Sequence, residues 1–216
     1  MVFADRRDAG RRLAAALDHL RERSPIVIAV PRGGVVVGHE VATHLQAPLD
    51  VIVPRKLRAP YNPELAIGAV AEGGAVFIDE GIARGIAPAY LEQEIAAQRA
   101  EIARRVQVYR GGRPIESPEG RAAIVVDDGI ATGATMIAAL RAVRSLRAAH
   151  LVAAVPVAPP DGLARLAREA DEVVCLVAPP MFHAVGQFYD DFAQVDDGEV
   201  TALLAARPPA VPDGPR

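Results

Sequence analysis

Four short runs in this chain are apolar almost without interruption: Ile26-Val27-Ile28-Ala29-Val30, Ala123-Ile124-Val125-Val126, Leu151 to Val157 and Val173 to Val177. A strand with one wet face alternates polar and apolar residues, whereas a run this uniform fits a strand buried on both faces. Residues 49–53 supply a fifth such strand. Between them, residues 8–23, 35–45, 88–109, 134–148 and 162–170 repeat apolar side chains at helical spacing or are rich in helix formers. The alternation predicts an α/β fold: a parallel sheet of about five strands flanked by helices. In such sheets, ligands bind beyond the carboxyl ends of the strands.

Two stretches interrupt this rhythm. Residues 54–63 carry three prolines and read as an extended loop. Residues 65–71 and 75–78 are expected to pair as a hairpin across Glu72-Gly73-Gly74. Pro88 suits the first turn of the long third helix. The last ten residues, from Arg207, hold four prolines and read as a disordered tail. One domain over residues 1–206 is therefore expected.

Composition narrows the function. The chain has 216 residues, 51% of them hydrophobic and 4% aromatic, so Ala, Val, Ile and Leu must fill the core. The formal net charge is −3, and there is neither a basic run nor the aromatic content needed to stack bases. Nucleic-acid binding is thus disfavoured. No apolar stretch approaches the ~20 residues that span a bilayer. A single cysteine, Cys175, excludes an internal disulfide. With no signal-peptide h-region among the opening residues, a cytoplasmic setting is expected. The histidines at 19, 39, 44 and 150 show no metal-ligand spacing.

The segment from Val125 to Thr135 carries the chemistry. A buried strand delivers adjacent carboxylates, Asp127 and Asp128. The loop Gly129-Ile130-Ala131-Thr132-Gly133 follows, and a helix opens at Ala134-Thr135. Glycine lets backbone approach a ligand closely. Free amides at a helix start, with the Thr132 and Thr135 hydroxyls, suit a phosphate. Carboxylates repel phosphate but accept hydrogen bonds from hydroxyls. Together these groups ask for a diol beside a phosphate, as in ribose 5-phosphate. A turn and a helix cap would explain one Asp and one Thr, but not the whole set. No G-x-x-x-x-G-K-[ST] loop occurs, no G-x-G-x-x-G follows the first strand, and no G-x-S-x-G elbow marks a serine hydrolase. After the first strand, Pro31-Arg32-Gly33-Gly34 offers amides and a cation to a second anion.

The pattern resembles the signature of type I phosphoribosyltransferases, and specifically a bacterial branch known as predicted phosphoribosyltransferases. The likeness covers most of residues 3–190, including Asn62-Pro63-Glu64-Leu65. It implies a substrate, 5-phosphoribosyl-1-pyrophosphate (PRPP), used with Mg²⁺. Asp127 and Asp128 would hold the ribose hydroxyls, and either could touch the metal. Gly129, Ile130, Ala131, Thr132, Gly133, Ala134 and Thr135 would line the 5′-phosphate site. Arg32, Gly33, Gly34 and Arg55 would meet the pyrophosphate, and Lys56 would be catalytic beside Asp127 and Asp128. The resemblance also implies a small hood, a lid over residues 57–63 and an unidentified nitrogenous acceptor, and it leaves room for a homodimer. Hypoxanthine and guanine members place an Asp where Ala131 stands, so this chain departs from the 6-oxopurine pattern.

For the acceptor pocket the candidates lie in 179–192: Phe182, His183, Phe188 and Tyr189, with Gln187. The same aromatics would equally plug a sheet edge. Beside the enzyme, a PRPP- or nucleotide-sensing regulator with the same fold is the alternative reading.

Overall fold

The computed structural model describes residues 2–206. The proline-rich tail expected to be disordered lies outside the described residues. The main sheet has five parallel strands: β1 (Ile26–Ala29), β2 (Leu49–Val51), β6 (Ala122–Val126), β7 (His150–Val157) and β8 (Glu172–Val177), in the order β2-β1-β6-β7-β8. The apolar runs are buried as their uniformity demands. Alternate residues of β1 serve opposite faces, Val27 and Ala29 joining one core cluster and Ile26 and Ile28 the other. Helices α1 (Arg6–Ala16) and α2 (Gly33–Leu45) cover the first face, and α4 (Ala134–Ser145) covers the second. Helix α5 (Pro160–Leu166) links β7 to β8.

A second, antiparallel sheet comprises β3 (Pro54–Ala59), β4 (Asn62–Ala71) and β5 (Val76–Ile78). The hairpin expected across residues 72–74 is β4 with β5. The stretch 54–63, expected to be a loop, is instead mostly strand. Its prolines sit where strands tolerate them: Pro54 opens an edge strand, and Pro63 falls in an irregularity where the register jumps from Ala59↔Asn62 to Arg58↔Ala66. Only Pro60-Tyr61 form the turn, and Tyr61 is fully exposed at its tip. The long helix α3 (Pro88–Arg110) packs on this sheet.

Two other boundaries differ from expectation. The segment 8–23 is α1 only as far as Ala16, and Asp18–Arg23 continues as a 3-10 helix. A final helix, α6 (Asp197–Ala205), was not anticipated. Its start is marked by Asp196, whose carboxylate accepts from the Glu199 amide at 2.7 Å. It buries Val200 and Leu203.

Buried among α3, β2 and the turn after β4 is Arg110, whose side chain is 1% exposed. It donates to Glu72, and its Nε lies 3.9 Å from Asp50. Asp50 accepts in turn from the amides of Val51 and Glu116 at 2.7 and 2.8 Å. This ionic knot ties the second sheet and α3 to the edge of the first.

Candidate active site

Strands β1 and β6 are neighbours, and the chain leaves them toward opposite edges of the sheet. Their carboxyl-end loops, Pro31–Gly34 and Asp127–Gly133, therefore stand side by side at the crevice where such sheets bind ligands. The two loops are in contact. A β-carbon added to Gly34 would lie 2.9 Å from Asp127 Cα and from the Val126 carbonyl oxygen. Glycine is needed there for close approach rather than for an unusual dihedral. The Pro31–Arg32 peptide is cis.

Each loop delivers a helix whose first turn lacks a side-chain cap. At α4 the N-cap is Gly133, with φ of +80°, and at α2 it is Arg32. The Val35 amide is taken by the Arg32 carbonyl at 3.0 Å, but the opening amides of a helix have no preceding turn to bond, so both ends present donors and a positive dipole to the crevice. Thr132 is exposed and Thr135 half-buried beside the α4 end, while Gly129, Ile130, Gly133 and Ala134 are buried and Ala131 is exposed. The Ile130 amide donates to the Val157 carbonyl at 3.1 Å and pins the loop to β7. Gly129 is wedged against Val157 and Val185.

The carboxylates lie between these two helix ends. Asp127 Oδ1 accepts from the Asp128 amide at 2.8 Å. Burial pushes the Asp127 carboxyl well above the usual carboxylate range, and the neighbouring Asp128 charge pushes it further. Burial raises Asp128 as well, but there a cation opposes it. That cation is Arg6, whose Nε donates to Asp128 Oδ2 at 2.7 Å. Arg6 also donates through Nη1 to the Ala193 carbonyl at 2.8 Å, and its guanidinium stacks 3.8 Å from the centre of the Phe192 ring. Nothing in the sequence distinguished Arg6 from Arg7, because its partner lies 122 positions away.

Arg32 is half-buried, with Nη1 4.0 Å from Asp197 at the start of α6. Asp197 accepts a 2.6 Å hydrogen bond from the Tyr109 hydroxyl. Burial, then this bond to an anion, pushes the Tyr109 phenol up to about 12, so it stays a donor. A cavity of about 270 Å³ opens here, lined by Arg6, Arg32, Gly33, Phe192, Gln194 and Val195.

Arg55 and Lys56 take opposite faces of β3, as successive strand residues must. Arg55 turns to α3 and donates to Gln98 at 3.0 Å. Lys56 is exposed and pairs with Ala69, whose side chain belongs to the cluster under α4. Lys56 thus shares the face of the second sheet that packs toward α4.

The aromatics of 179–192 gather in a small cluster of their own. Phe182 stacks on Phe188 with ring centres 5.4 Å apart, and Tyr189 packs 5.3 Å from Phe3. Tyr189 is buried, and its hydroxyl donates to the Asp128 carbonyl, bracing the acidic loop from above. Gln187 accepts from the amides of His183 and Ala184, which leaves the His183 side chain exposed. Among the described residues no group of three or more His, Cys, Asp or Glu side chains could by itself enclose a metal ion, and no helix is long and apolar enough to cross a membrane.

Residues 5–193 match the family model described as the phosphoribosyl transferase domain. A Mycobacterium tuberculosis protein that carries the provisional name phosphoribosyl transferase, present in two strains of that organism, is 48% identical over 205 residues. The match takes in 94% of this chain but 46% of that protein, so the chain spans about half the length of the curated relatives it matches. Among solved structures, TT1426 from Thermus thermophilus superimposes with a TM-score of 0.80 at 48% identity, covering 94% of this chain and 98% of that one.

Proposed function

Since the chain belongs to the phosphoribosyl transferase family, a family of transferase enzymes, we propose that it transfers the 5-phosphoribosyl group of PRPP to a nitrogenous acceptor and releases pyrophosphate. The observation that carries this reading is the pair of uncapped helix starts, α2 and α4, with a carboxylate pair between them. PRPP has that layout: two anionic ends joined by a diol-bearing sugar.

In the proposed complex the 5′-phosphate sits on the amides of residues 130–135 and the hydroxyls of Thr132 and Thr135. Asp127 and Asp128 accept from the ribose hydroxyls. The pyrophosphate meets the amides of Gly33 and Gly34 and the cations of Arg32 and Lys56. Arg55, which the resemblance assigned to the pyrophosphate, instead faces α3 and bonds Gln98 on the opposite face of β3 from Lys56, so it has no direct part in this complex. Mg²⁺ prefers one or two carboxylates plus substrate phosphates, and this donor set fits that preference. When bound, Mg²⁺ would neutralise charge on the leaving group. The C1–O bond to pyrophosphate breaks as the acceptor nitrogen's lone pair forms the bond to C1, and the nitrogen's proton passes to solvent. Positive charge on the sugar ring would be offset by the two carboxylates, so the chain acts through orientation and preorganised charge.

The hairpin tip at 57–63 is proposed to close over the sugar as a lid. The acceptor is proposed to enter between this tip and the segment holding Phe182, His183, Phe188 and Tyr189. Ala131 argues against a 6-oxopurine.

The test is pyrophosphate release from PRPP and Mg²⁺ across a panel of purines, pyrimidines and simple amines. Turnover with one acceptor class is expected. Tight PRPP binding without turnover on any member would replace the enzyme with the regulator reading.

A further inference from the structure

We infer that Tyr90 and Glu94 of α3 are positioning residues for the lid: they fix its hinge at Arg58, so that only residues 59–65 swing over the site. This rests on the reading of the hairpin tip as a lid, and it draws that lid's boundary.

Strand β3 is an edge strand, so half of its backbone groups face away from β4. At Arg58 both of these groups are taken by α3. The Arg58 amide donates to Glu94 Oε1 at 3.1 Å, and the Arg58 carbonyl accepts from the Tyr90 hydroxyl at 2.9 Å. The grip continues down the strand. Glu94 Oε1 also accepts from Gln98 Nε2 at 3.0 Å, and Gln98 Oε1 accepts from Arg55 Nε at 3.0 Å. Tyr90, Glu94 and Gln98 are spaced four apart, so one face of α3 carries the whole strap.

A second anchor holds the other side of this sheet at the same level. The Asp79 amide, just past β5, donates to the Ile67 carbonyl of β4 at 3.0 Å. The Asp79 carboxylate accepts from the Gly81 and Ile82 amides and, through Oδ2, from Arg165 of α5 at 3.0 Å. Helix α5 backs the loop proposed to hold the 5′-phosphate: a β-carbon added to Gly162 would lie 3.3 Å from the Ala131 carbonyl oxygen. Ile67 stands between Ala66 and Gly68, the partners of Arg58 and Leu57. Both anchors thus meet the hairpin on one line, beside that loop.

Beyond the line the hold ends. The β3–β4 register shifts on both sides of Arg58. Residues 60–65 are all exposed, Tyr61 at 98% and Leu65 at 41%. Among the described residues, no side-chain hydrogen bond or ion pair leads from 60–65 out of the hairpin; the Glu64 amide bonds Asn62 within it. A fixed base with a projecting, weakly held tip is the kind of element from which lids are drawn. The tip reaches about 10 Å past the line, at ~3.3 Å per residue, and carries Tyr61 at its end.

The first readout is amide hydrogen exchange on the full ligand-free chain, comparing wild type, Tyr90→Phe and the double variant Tyr90→Phe, Glu94→Ala. In the wild type, protection should stop between Arg58 and Ala59. In the double variant, the amides of Leu57, Arg58 and Gly68 should exchange roughly tenfold faster, the size of one or two lost hydrogen bonds. Those of Ala69 and Val70 should stay unchanged, whereas a general loss of stability would speed all of them together. The second readout uses the absence of tryptophan from the chain. Tyr61→Trp places a single emitter on the tip, in the wild-type and double-variant backgrounds. PRPP with Mg²⁺ should shift its emission to the blue as the tip closes, and the double variant should need severalfold more PRPP for the same shift. A wild-type boundary elsewhere in the hairpin would overturn the inference. So would a boundary unmoved in the double variant, or PRPP binding that leaves the emission unchanged. If the double variant fails to fold, Tyr90→Phe, which removes one exposed hydroxyl bond, decides by the same readouts. A wild type that binds no PRPP by calorimetry would sink the proposed function instead, and the ligand-free exchange would still locate the hinge.

Discussion

A β-carbon placed on Gly33 would stand 1.9 Å from Asp128 Oδ2 and 2.7 Å from Arg6 Nε. The Pro31–Gly34 loop and the carboxylate loop are thus built against each other, with room for no side chain between them. Gly33→Ala should fold with a loss of about 1–3 kcal/mol from overpacking. It should also lose most PRPP affinity, because relief comes only by displacing Asp128. Thermal melting and calorimetry on the same sample separate the two effects.

The carboxylate pair should trade stability for binding. Burial raises the Asp127 carboxyl above its ordinary value of 3.8, so between that value and the folded-state value the native protein holds more protons than the unfolded chain. Stability then falls as pH rises through this window, because the site must ionise while buried. PRPP affinity should run the other way, rising with pH as the acceptors ionise. Asp127→Asn should accordingly raise the melting temperature of the ligand-free protein at neutral pH and weaken PRPP binding at least tenfold. A melting temperature unchanged from pH 5 to about 8 in both proteins would count against the assignment.

The ionic knot around Arg110 is structural. Arg110→Ala would leave Glu72 and Asp50 buried without their cation, a loss of about 3–5 kcal/mol. Glu72, already pushed upward by burial, should then titrate higher still. Urea unfolding should detect the loss, while PRPP affinity of the folded fraction stays at the wild-type value.

Tyr189 braces the acidic loop by one hydroxyl bond to the Asp128 carbonyl. Tyr189→Phe keeps the packing against Phe3 and removes that bond. The expected cost is about 1 kcal/mol in denaturant unfolding, with PRPP binding weakened severalfold.

The main sheet was legible because strands buried on both faces leave no polar residues to confuse the pattern, as in Ile26–Ala29 and Ala122–Val126. The acidic loop was legible because its chemistry is contiguous in sequence. Residues 54–59 were misread as loop because prolines were weighed without knowing that the strand lies on an edge. Helix α6 is nine residues long with a glycine in its first turn, so its apolar signal is weak. The Asp196-to-Glu199 spacing, an N-cap with an acid three residues later, was the clue that could have found it. Arg6 could not be found from sequence at all, because its place in the site is set by tertiary contacts to Asp128, Phe192 and the Ala193 carbonyl.

The central claim, that adjacent carboxylates between two open helix starts hold a phosphorylated pentose, is tested most directly by calorimetric titration of PRPP with Mg²⁺ into the wild type and the Asp127→Asn, Asp128→Asn double variant. Saturable binding at one site in the wild type, abolished in a double variant that melts as a folded protein, is the predicted result. Equal affinity in the two proteins would contradict it.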